Sequence, residues 1–143
     1  MDLFGRLSSM KKKDPIKFAI IDALHEHDNL TLALLLPQLQ DVNVVDPSGS
    51  TLLMLALWAK NDVAIDMLIS HGASLNVENK YADCMTPLGI AASLNHTGYT
   101  ELLLDAGADP NYENSLGQRP LDFARECASH EIYQLLISRG AQA

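Results

Sequence analysis

The clearest pattern in the chain is the run TPLGIAASLNHTGYTELLLDAGADPN, which spans residues 86–111. Thr86 can cap a helix and Pro87 is tolerated in its first turn, so the run opens with a helix start. A second apolar stripe around Leu103 then precedes Gly107. Glycine is favoured at a helix end because it adopts a left-handed backbone at little cost. The run therefore predicts two short helices joined by a turn.

Both halves of this run recur along the chain. The closing block returns as LISHGASLN at residues 68–76 and, shortened, as LISRGA at residues 136–141. The opening block returns as TLLMLA at residues 51–56 and RPLDFA at residues 119–124. A weaker copy lies upstream, where Leu35-Leu36 and Asn43 precede their counterparts by 33 residues. Self-similarity at this period is typical of a solenoid of stacked units.

The two blocks resemble the ankyrin signature, Thr-Pro-Leu-His-x-Ala with a Gly-Ala-Asp-x-Asn close. The resemblance implies an all-α ankyrin-repeat solenoid of four stacked helix-turn-helix units with projecting β-hairpin fingers. The expected repeats are residues 17–45, 46–78, 79–113 and 114–143, after a basic tail or short helix at residues 1–16. The first repeat departs from the pattern, because it lacks the Thr-Pro start and carries Leu39 where the glycine is expected.

The turns of the repeats can also be located. A tight turn between the two helices is expected at Asp62, Thr97 and His130. Finger turns are expected at Asp46-Pro47-Ser48-Gly49 and Asn114-Ser115-Leu116-Gly117, which carry strong turn chemistry. The finger between them is two residues longer and lacks the usual glycine. It is either a tolerated surface insertion or an enlarged finger that presents Tyr81 and Met85 to a partner.

The charge of the chain is unevenly distributed. The net charge is −8, yet the first 17 positions hold half of the ten basic residues. From residue 18 onward the chain has 16 acidic and five basic residues, a net charge of about −11. An acidic body repels phosphate backbones, so nucleic-acid binding is disfavoured and a basic protein partner is favoured. Residues 1–17 give only a weak possibility of membrane binding.

No pattern in the sequence indicates catalysis. The chain contains no Ser-His-Asp set, HExxH motif, P-loop or GxGxxG motif. Cys84 and Cys127 are 43 residues apart with no histidine at ligand spacing, so we expect two reduced thiols and no zinc site. No run approaches the roughly 18 apolar residues that a membrane span requires. We expect a cytoplasmic, monomeric protein without catalytic residues, metal or cofactor.

The resemblance implies protein binding through the fingers and the concave helix face. Trp58 is the only tryptophan, and its counterparts His25, Ser93 and Glu126 are polar, which favours an exposed anchor over a ring folded onto its neighbours. Carried over position by position, the expected contacts are Val45, Pro47, Ser48, Ser50, Trp58, Glu78, Lys80, Tyr81, Asp83, Met85, Ser93, Leu94, Glu113, Ser115, Leu116, Gln118 and Glu126.

Two functions remain open at this point. The first is a non-catalytic interaction or adaptor module that binds a partner through its fingers and concave face. The second is an acidic inhibitor, or immunity-type protein, that neutralises a basic enzyme or toxin by occlusion. The acidic body and small size fit the second function, while the fold itself indicates only protein binding.

Overall fold

The computed structural model describes Gly5, Ser9, residues 14–81 and residues 83–143. From residue 14 onward the described residues form eight α-helices in four consecutive pairs. The helices are α1 (Pro15–Glu26), α2 (Asn29–Leu35), α3 (Leu52–Trp58), α4 (Asp62–Ser70), α5 (Pro87–Ser93), α6 (Thr97–Asp105), α7 (Pro120–Glu126) and α8 (His130–Ser138). The predicted all-α solenoid is confirmed. The predicted segment at residues 1–16 falls mostly outside the described residues.

The fingers are turns and not β-hairpins. Across the described ranges the only extended pairing is an isolated antiparallel bridge between Val45 and Thr51. Each finger is so short that its hydrogen bonds close a loop and leave no room for a ladder. The projecting fingers of the prediction are therefore present without strands.

The first helices begin as the sequence predicts. The Thr51 hydroxyl accepts a hydrogen bond from the Met54 amide at 3.3 Å, and the Thr86 hydroxyl accepts one from the Gly89 amide at 3.0 Å. In the last repeat Arg119 replaces the threonine, and Asp122 compensates by accepting a hydrogen bond from the Arg119 amide at 2.8 Å. Each first helix therefore has a polar group that satisfies an otherwise unpaired amide at its start.

The predicted position of the turn between the helices is wrong by a few residues. Asp62, Thr97 and His130 are the first residues of α4, α6 and α8. The turn instead passes through left-handed residues at Lys60 (φ 54°), Asn95 (φ 52°) and Ala128 (φ 53°), two residues earlier. A polar cap, Asn61 or His96, separates the turn from the helix in the second and third repeats. The cap must precede the helix, so the turn is displaced toward the first helix.

The second helices end at glycine, as predicted. Gly72, Gly107 and Gly140 have φ values of 83°, 104° and 98°, in the left-handed region. The first repeat ends differently, because Leu39 has an extended backbone with φ −75°. A 3₁₀ turn over Leu36–Gln38 follows α2 directly, and this tightening replaces the glycine cap.

The core lies between two layers of helices. Each first helix packs against the second helix of its own repeat and against the first helix of the next repeat. The largest fully buried side chains are Ile20, Leu24, Leu32, Leu52, Leu53, Met54, Leu57, Ile65, Leu68, Ile90, Leu103 and Ile132. The buried positions repeat with the sequence, because Ile20, Leu24 and Leu32 precede the buried Leu53, Leu57 and Ile65 by 33 residues. Burial of these aliphatic side chains supplies most of the stability.

Asparagines join each repeat to the next one. The Asn43 side-chain oxygen accepts a hydrogen bond from the Ser74 amide at 2.7 Å, and Asn76 accepts one from the Asp109 amide at 2.8 Å. Asn111 continues the row by accepting a hydrogen bond from the Gln142 amide at 2.8 Å. These three asparagines, spaced like the repeats, form what we call the asparagine ladder.

A buried tyrosine adds a second link between repeats. The hydroxyl of Tyr99 on α6 donates a hydrogen bond to the carboxylate of Asp62 on α4. Burial and this carboxylate raise the pKa of Tyr99 to about 12. The ring of His96 stacks on Tyr99 at 3.5 Å between centroids, which fixes the start of α6.

Candidate protein-binding surface

Each of the three fingers is built on one Asp or Asn at its base. The amides of Asp46, Asn79 and Asn114 donate to the carbonyls of Ser50, Met85 and Gln118, each at 2.9 Å. Their side chains then accept hydrogen bonds from amides inside the loop, such as Ser48 to Asp46 at 2.9 Å. Short polar side chains favour this arrangement because they replace backbone turn bonds. The first finger is therefore residues 46–50, the second is residues 79–85 and the third is residues 114–118.

Every finger also contains a left-handed residue three positions before the first residue of the helix that follows it. Gly49 and Gly117 occupy this position in the first and third fingers, with φ values of 86° and 77°. In the second finger the residue is Cys84, with φ 55°. The second finger therefore lacks the usual glycine but keeps its backbone conformation, which Cys84 adopts. A side chain in this conformation costs roughly 1–2 kcal/mol.

Neighbouring fingers are tied together through these bases. The Asn79 side-chain amide donates to the Ser50 hydroxyl at 2.9 Å, and the Asn114 amide donates to the Cys84 carbonyl at 3.0 Å. Glu78 accepts a further hydrogen bond from the Ser115 amide at 2.8 Å. The bonds from Ser115 lower the pKa of Glu78 below its ordinary value. The three fingers thus form one connected row.

Burial and the negative charges of Glu78 and Asp83 change the pKa of Cys84, the cysteine in the second finger. Partial burial, followed by the Glu78 carboxylate, raises the pKa of the Cys84 thiol above its ordinary value. A raised pKa keeps the thiol protonated and weakly nucleophilic. Cys84 and Cys127 are both free thiols.

Most of the predicted contact residues lie at the surface. The exposed positions are Pro47, Ser48, Trp58, Lys80, Tyr81, Asp83, Ser93, Glu113, Ser115, Leu116 and Glu126. Val45, Glu78, Leu94 and Gln118 are half-buried. Whether these residues contact a partner stays a prediction, but their accessibility permits it.

Two predicted contacts are not displayed. Met85 is 9% exposed and packs with the core, and Ser50 is 8% exposed and accepts the bond from Asn79. Both residues immediately precede a capping threonine, and their carbonyls close the finger. The side chain at this position turns toward the helices, so the prediction that Met85 is presented on the enlarged finger is wrong. Ser50 is withdrawn from the surface for the same reason.

Two large aromatic side chains among the predicted contacts are exposed. Trp58 is 44% exposed at the end of α3, as the polarity of its counterparts predicts, and Tyr81 is 74% exposed on the second finger. The Tyr81 ring lies against the first finger, because a Cβ added at Gly49 would come within 2.6 Å of its Cδ2 atom. The enlarged finger therefore leans back over its neighbour.

This leaning creates a cleft that the sequence did not predict. We call it the Tyr81 cleft: a cavity of about 510 Å³ lined by Asp14, Lys17, Phe18, Val45, Asp46, Pro47 and Tyr81. Its walls come from the first turn of α1, the first finger and the tip of the second finger. These residues are far apart in the sequence, so only the tertiary fold brings them together.

A second cavity lies at the other end of the stack. It measures about 400 Å³ and is lined by Ala124, Arg125, Ala128, Ser129, His130, Tyr133 and Gln134. The Arg125 guanidinium lies 5.6 Å from the centre of the Tyr133 ring, within reach of a cation–π interaction. Among the described residues there is no group of three or more histidine, cysteine or acidic side chains positioned to hold a metal ion. None of the described helices is long and apolar enough to cross a membrane.

Comparison with known proteins extends these observations. The family model for ankyrin repeats in three copies matches residues 74–143, and the model for a single ankyrin repeat matches residues 48–80. An ankyrin repeat protein of Escherichia coli, YahD, is 36% identical over 121 residues, covering 80% of this chain and 60% of that protein. The human ARF GTPase-activating protein GIT1 is 32% identical over 126 residues, covering 88% of this chain and 16% of its own length.

A viral relative shows the same likeness. An ankyrin repeat protein of Fowlpox virus is 38% identical over 95 residues, covering 63% of this chain and 27% of its own length. The chain spans less than two thirds of the length of each of these relatives. Ankyrin repeats are generally protein–protein interaction modules and are generally non-catalytic. The repeat spacing, the helix pairs and these matches together show that the chain belongs to the ankyrin-repeat family.

Proposed function

We propose that the chain is a non-catalytic binding module that recognises another protein through its finger row and the exposed ends of its first helices. The observation that carries the proposal is the exposure of two large aromatic side chains, Trp58 at the end of a first helix and Tyr81 on a finger. Large aromatic side chains lose little conformational entropy on binding and dominate interface energetics. Buried positions hold most of the other large apolar side chains, so these two rings are available as anchors.

The test is affinity capture from a native lysate with matched variants. Wild type is compared with a Trp58→Ala/Tyr81→Ala double variant and with a Leu30→Ala/Leu34→Ala control. Leu30 and Leu34 are 73% and 65% exposed on α2, which is neither a finger nor a first helix, so the control also removes two exposed apolar side chains. Loss of an anchor costs about 2 kcal/mol, or roughly 30-fold in affinity.

The outcome separates the binding face from the rest of the surface. A stoichiometric partner that is lost by the double variant and retained by the control supports the proposal. A partner retained by the double variant places the contact elsewhere and contradicts it. Circular dichroism of each variant verifies that the repeats are folded.

The second candidate is an acidic inhibitor or immunity-type protein. Its support is the net charge of −8 together with the exposed carboxylates of Asp83, Glu113 and Glu126 among the predicted contacts. Such a protein would bind a basic enzyme or toxin quickly and with strong salt dependence. Enzyme assays on the captured partner decide between the two functions: silencing of an enzyme at one-to-one ratio favours the inhibitor, and unchanged activity favours an adaptor.

A further inference from the structure

The Tyr81 cleft combines an aromatic ring with carboxylates. Tyr81 and Phe18 contribute rings, Val45 and Pro47 contribute apolar surface, and Asp14 and Asp46 contribute negative charge. Lys17 is the only basic residue among the described lining residues, and its ammonium lies 5.7 Å from the centre of the Phe18 ring. This cleft therefore already holds one cation against a ring, with negative charge in excess.

One carboxylate oxygen in the cleft is not used by the finger. The hydrogen bonds from the Ser48 amide, the Ser48 hydroxyl and the Ser50 amide all go to Oδ1 of Asp46. Oδ2 accepts no hydrogen bond from any residue that the structure describes. The Asp14 carboxylate at the opposite wall caps Lys17 through Oδ1 at 3.2 Å and is solvent-exposed. Both groups can accept a hydrogen bond from an incoming cation.

We infer that the Tyr81 cleft binds an arginine side chain of the partner protein. The inference rests on the proposed function, since it names the chemistry by which the finger row recognises its partner. A guanidinium stacks flat on an aromatic face and donates to carboxylates at its edges, which matches the ring of Tyr81 flanked by Asp46 and Asp14. The same chain pairs Arg125 with the Tyr133 ring at 5.6 Å, so this stacking is already used within the fold.

The other fingers supply a variant that removes the charge and spares the turn. Asn79 and Asn114 stand at the position of Asp46 in their fingers, and each accepts a hydrogen bond from the amide two residues on, as Asp46 does. Asn114 also accepts the second loop bond that Asp46 accepts, from the amide four residues on. Asp46→Asn should therefore keep the first finger folded while removing one carboxylate from the cleft. Asp66→Asn is the matched control, because it makes the same change in net charge at an exposed position on α4.

The experiment titrates the tripeptide Gly-Arg-Gly into isotope-labelled protein and follows backbone amide shifts by NMR. Gly-citrulline-Gly is the uncharged comparison, because it keeps the planar side chain and loses the positive charge. We expect saturable shifts at Lys17, Ser48, Gly49 and Tyr81 with Gly-Arg-Gly, and weak shifts with the citrulline peptide. Asp46→Asn should weaken binding about fivefold, while Asp66→Asn should leave it unchanged.

Variants of the ring separate stacking from simple apolar contact. Tyr81→Phe keeps the aromatic face and should keep binding, whereas Tyr81→Leu fills similar space and should lose most of it. Equal shifts with both peptides, equal weakening by Asp46→Asn and Asp66→Asn, or shifts spread over the whole acidic surface would overturn the inference. So would cleft shifts in the peptide-free Lys11→Ala/Lys12→Ala/Lys13→Ala variant, since they would show that the chain's own lysines occupy the site.

This experiment needs no partner, so its result is independent of the capture experiment. Partner capture that is lost in the Trp58→Ala/Tyr81→Ala variant, together with a negative titration, would leave the proposed function standing and remove only the arginine site. A positive titration with no dependence of capture on Trp58 and Tyr81 would contradict the proposed binding face instead.

Discussion

The first and second fingers solve the same geometric problem with different residues. The first finger has five residues, with Asp46 at its base and Gly49 in the left-handed position. The second has seven, with Asn79 at its base and Cys84 in the left-handed position. Both close through the same backbone hydrogen bond of 2.9 Å from the base residue to the residue before the capping threonine.

The difference teaches which parts of a finger are fixed. The left-handed residue lies two positions before the capping threonine in both fingers. The base residue lies farther from that threonine in the second finger, but it keeps its hydrogen bond to the residue before the threonine. The two extra residues of the second finger lie in the loop, where a longer connection costs little. They place Tyr81 over Gly49, so the insertion changes the surface of the finger and leaves its closing hydrogen bond and left-handed residue unchanged.

The largest loss of stability is expected from a substitution at Gly49. In Gly49→Ala the new Cβ must adopt φ 86° and would lie 2.6 Å from Tyr81 Cδ2 and 2.9 Å from Asn79 Oδ1. We expect a loss of about 2–3 kcal/mol in the free energy of unfolding, measured by urea denaturation. Gly117→Ala is the control, since its φ is 77° and its nearest neighbour is 3.8 Å away. A loss no larger than that of the control would show that the approach of Tyr81 contributes nothing.

Removing the base of the second finger should have the next largest effect. Asn79→Ala removes the bond to the Ser50 hydroxyl at 2.9 Å and the bond from the Tyr81 amide at 3.0 Å. We expect a loss of about 2 kcal/mol, because Asn79 and Ser50 are both buried and the Ser50 hydroxyl loses a bond without gaining water. Thermal or urea unfolding measures the loss. Asp46→Asn, which keeps the acceptor, should cost under about 0.5 kcal/mol, and equal costs for the two variants would contradict this account.

Restoring the glycine of the second finger should stabilise the protein. Cys84→Gly removes the strain of a side chain at φ 55°, and the greater freedom of glycine in the unfolded chain offsets part of the gain. We expect a net gain of about 0.5–1 kcal/mol in urea unfolding. Cys84→Ala separates the backbone from the thiol, since it keeps the strain. A gain in Cys84→Ala as large as in Cys84→Gly would assign the effect to the thiol and its negative neighbours.

The smallest effect concerns the link between the second and third fingers. Hydrogen bonds from Ser115 lower the pKa of Glu78 below its ordinary value of 4.5. The folded state therefore binds this proton more weakly than the unfolded state, so the contribution is present above pH 4.5 and is lost as the pH falls through the folded-state pKa. Glu78→Gln should be slightly less stable than wild type at pH 7, and the gap should narrow as the pH falls below 4.5. A gap that does not change with pH would exclude ionisation as its cause.

The parts of the fold that follow local rules were predictable from the sequence. Thr86 and Pro87 mark a helix start by their own chemistry, and Gly107 marks an end, so the repeat register and the helices followed. The left-handed backbone at Lys60 and Ala128 was not predictable, because neither residue favours it; the packing of two helices imposes it there. Residue types alone place the turn between the two helices too late, since Asp62 is polar and looks like a turn residue.

The candidate surface was only partly predictable for a different reason. Exposure of Trp58 and Tyr81 followed from their register, but the inward side chain of Met85 depends on the way the finger closes. Pattern also gives no warning of the Tyr81 cleft, because α1, the first finger and the second finger meet there only after folding. Such sites depend on which segments come together in the folded chain, and the residue pattern within one segment does not contain that information.

The asparagine ladder has a consequence for the way the molecule opens. Each of Asn43, Asn76 and Asn111 binds only the repeat that follows it, so cooperativity passes from neighbour to neighbour. A terminal repeat that detaches breaks one rung and leaves the remaining rungs intact. Local opening should therefore start at the two ends and advance inward, so that the Asp109 amide on the central rung is shielded from solvent exchange longer than the Ser74 and Gln142 amides on the two outer rungs. Under a pulling force the chain should unfold in steps of one repeat.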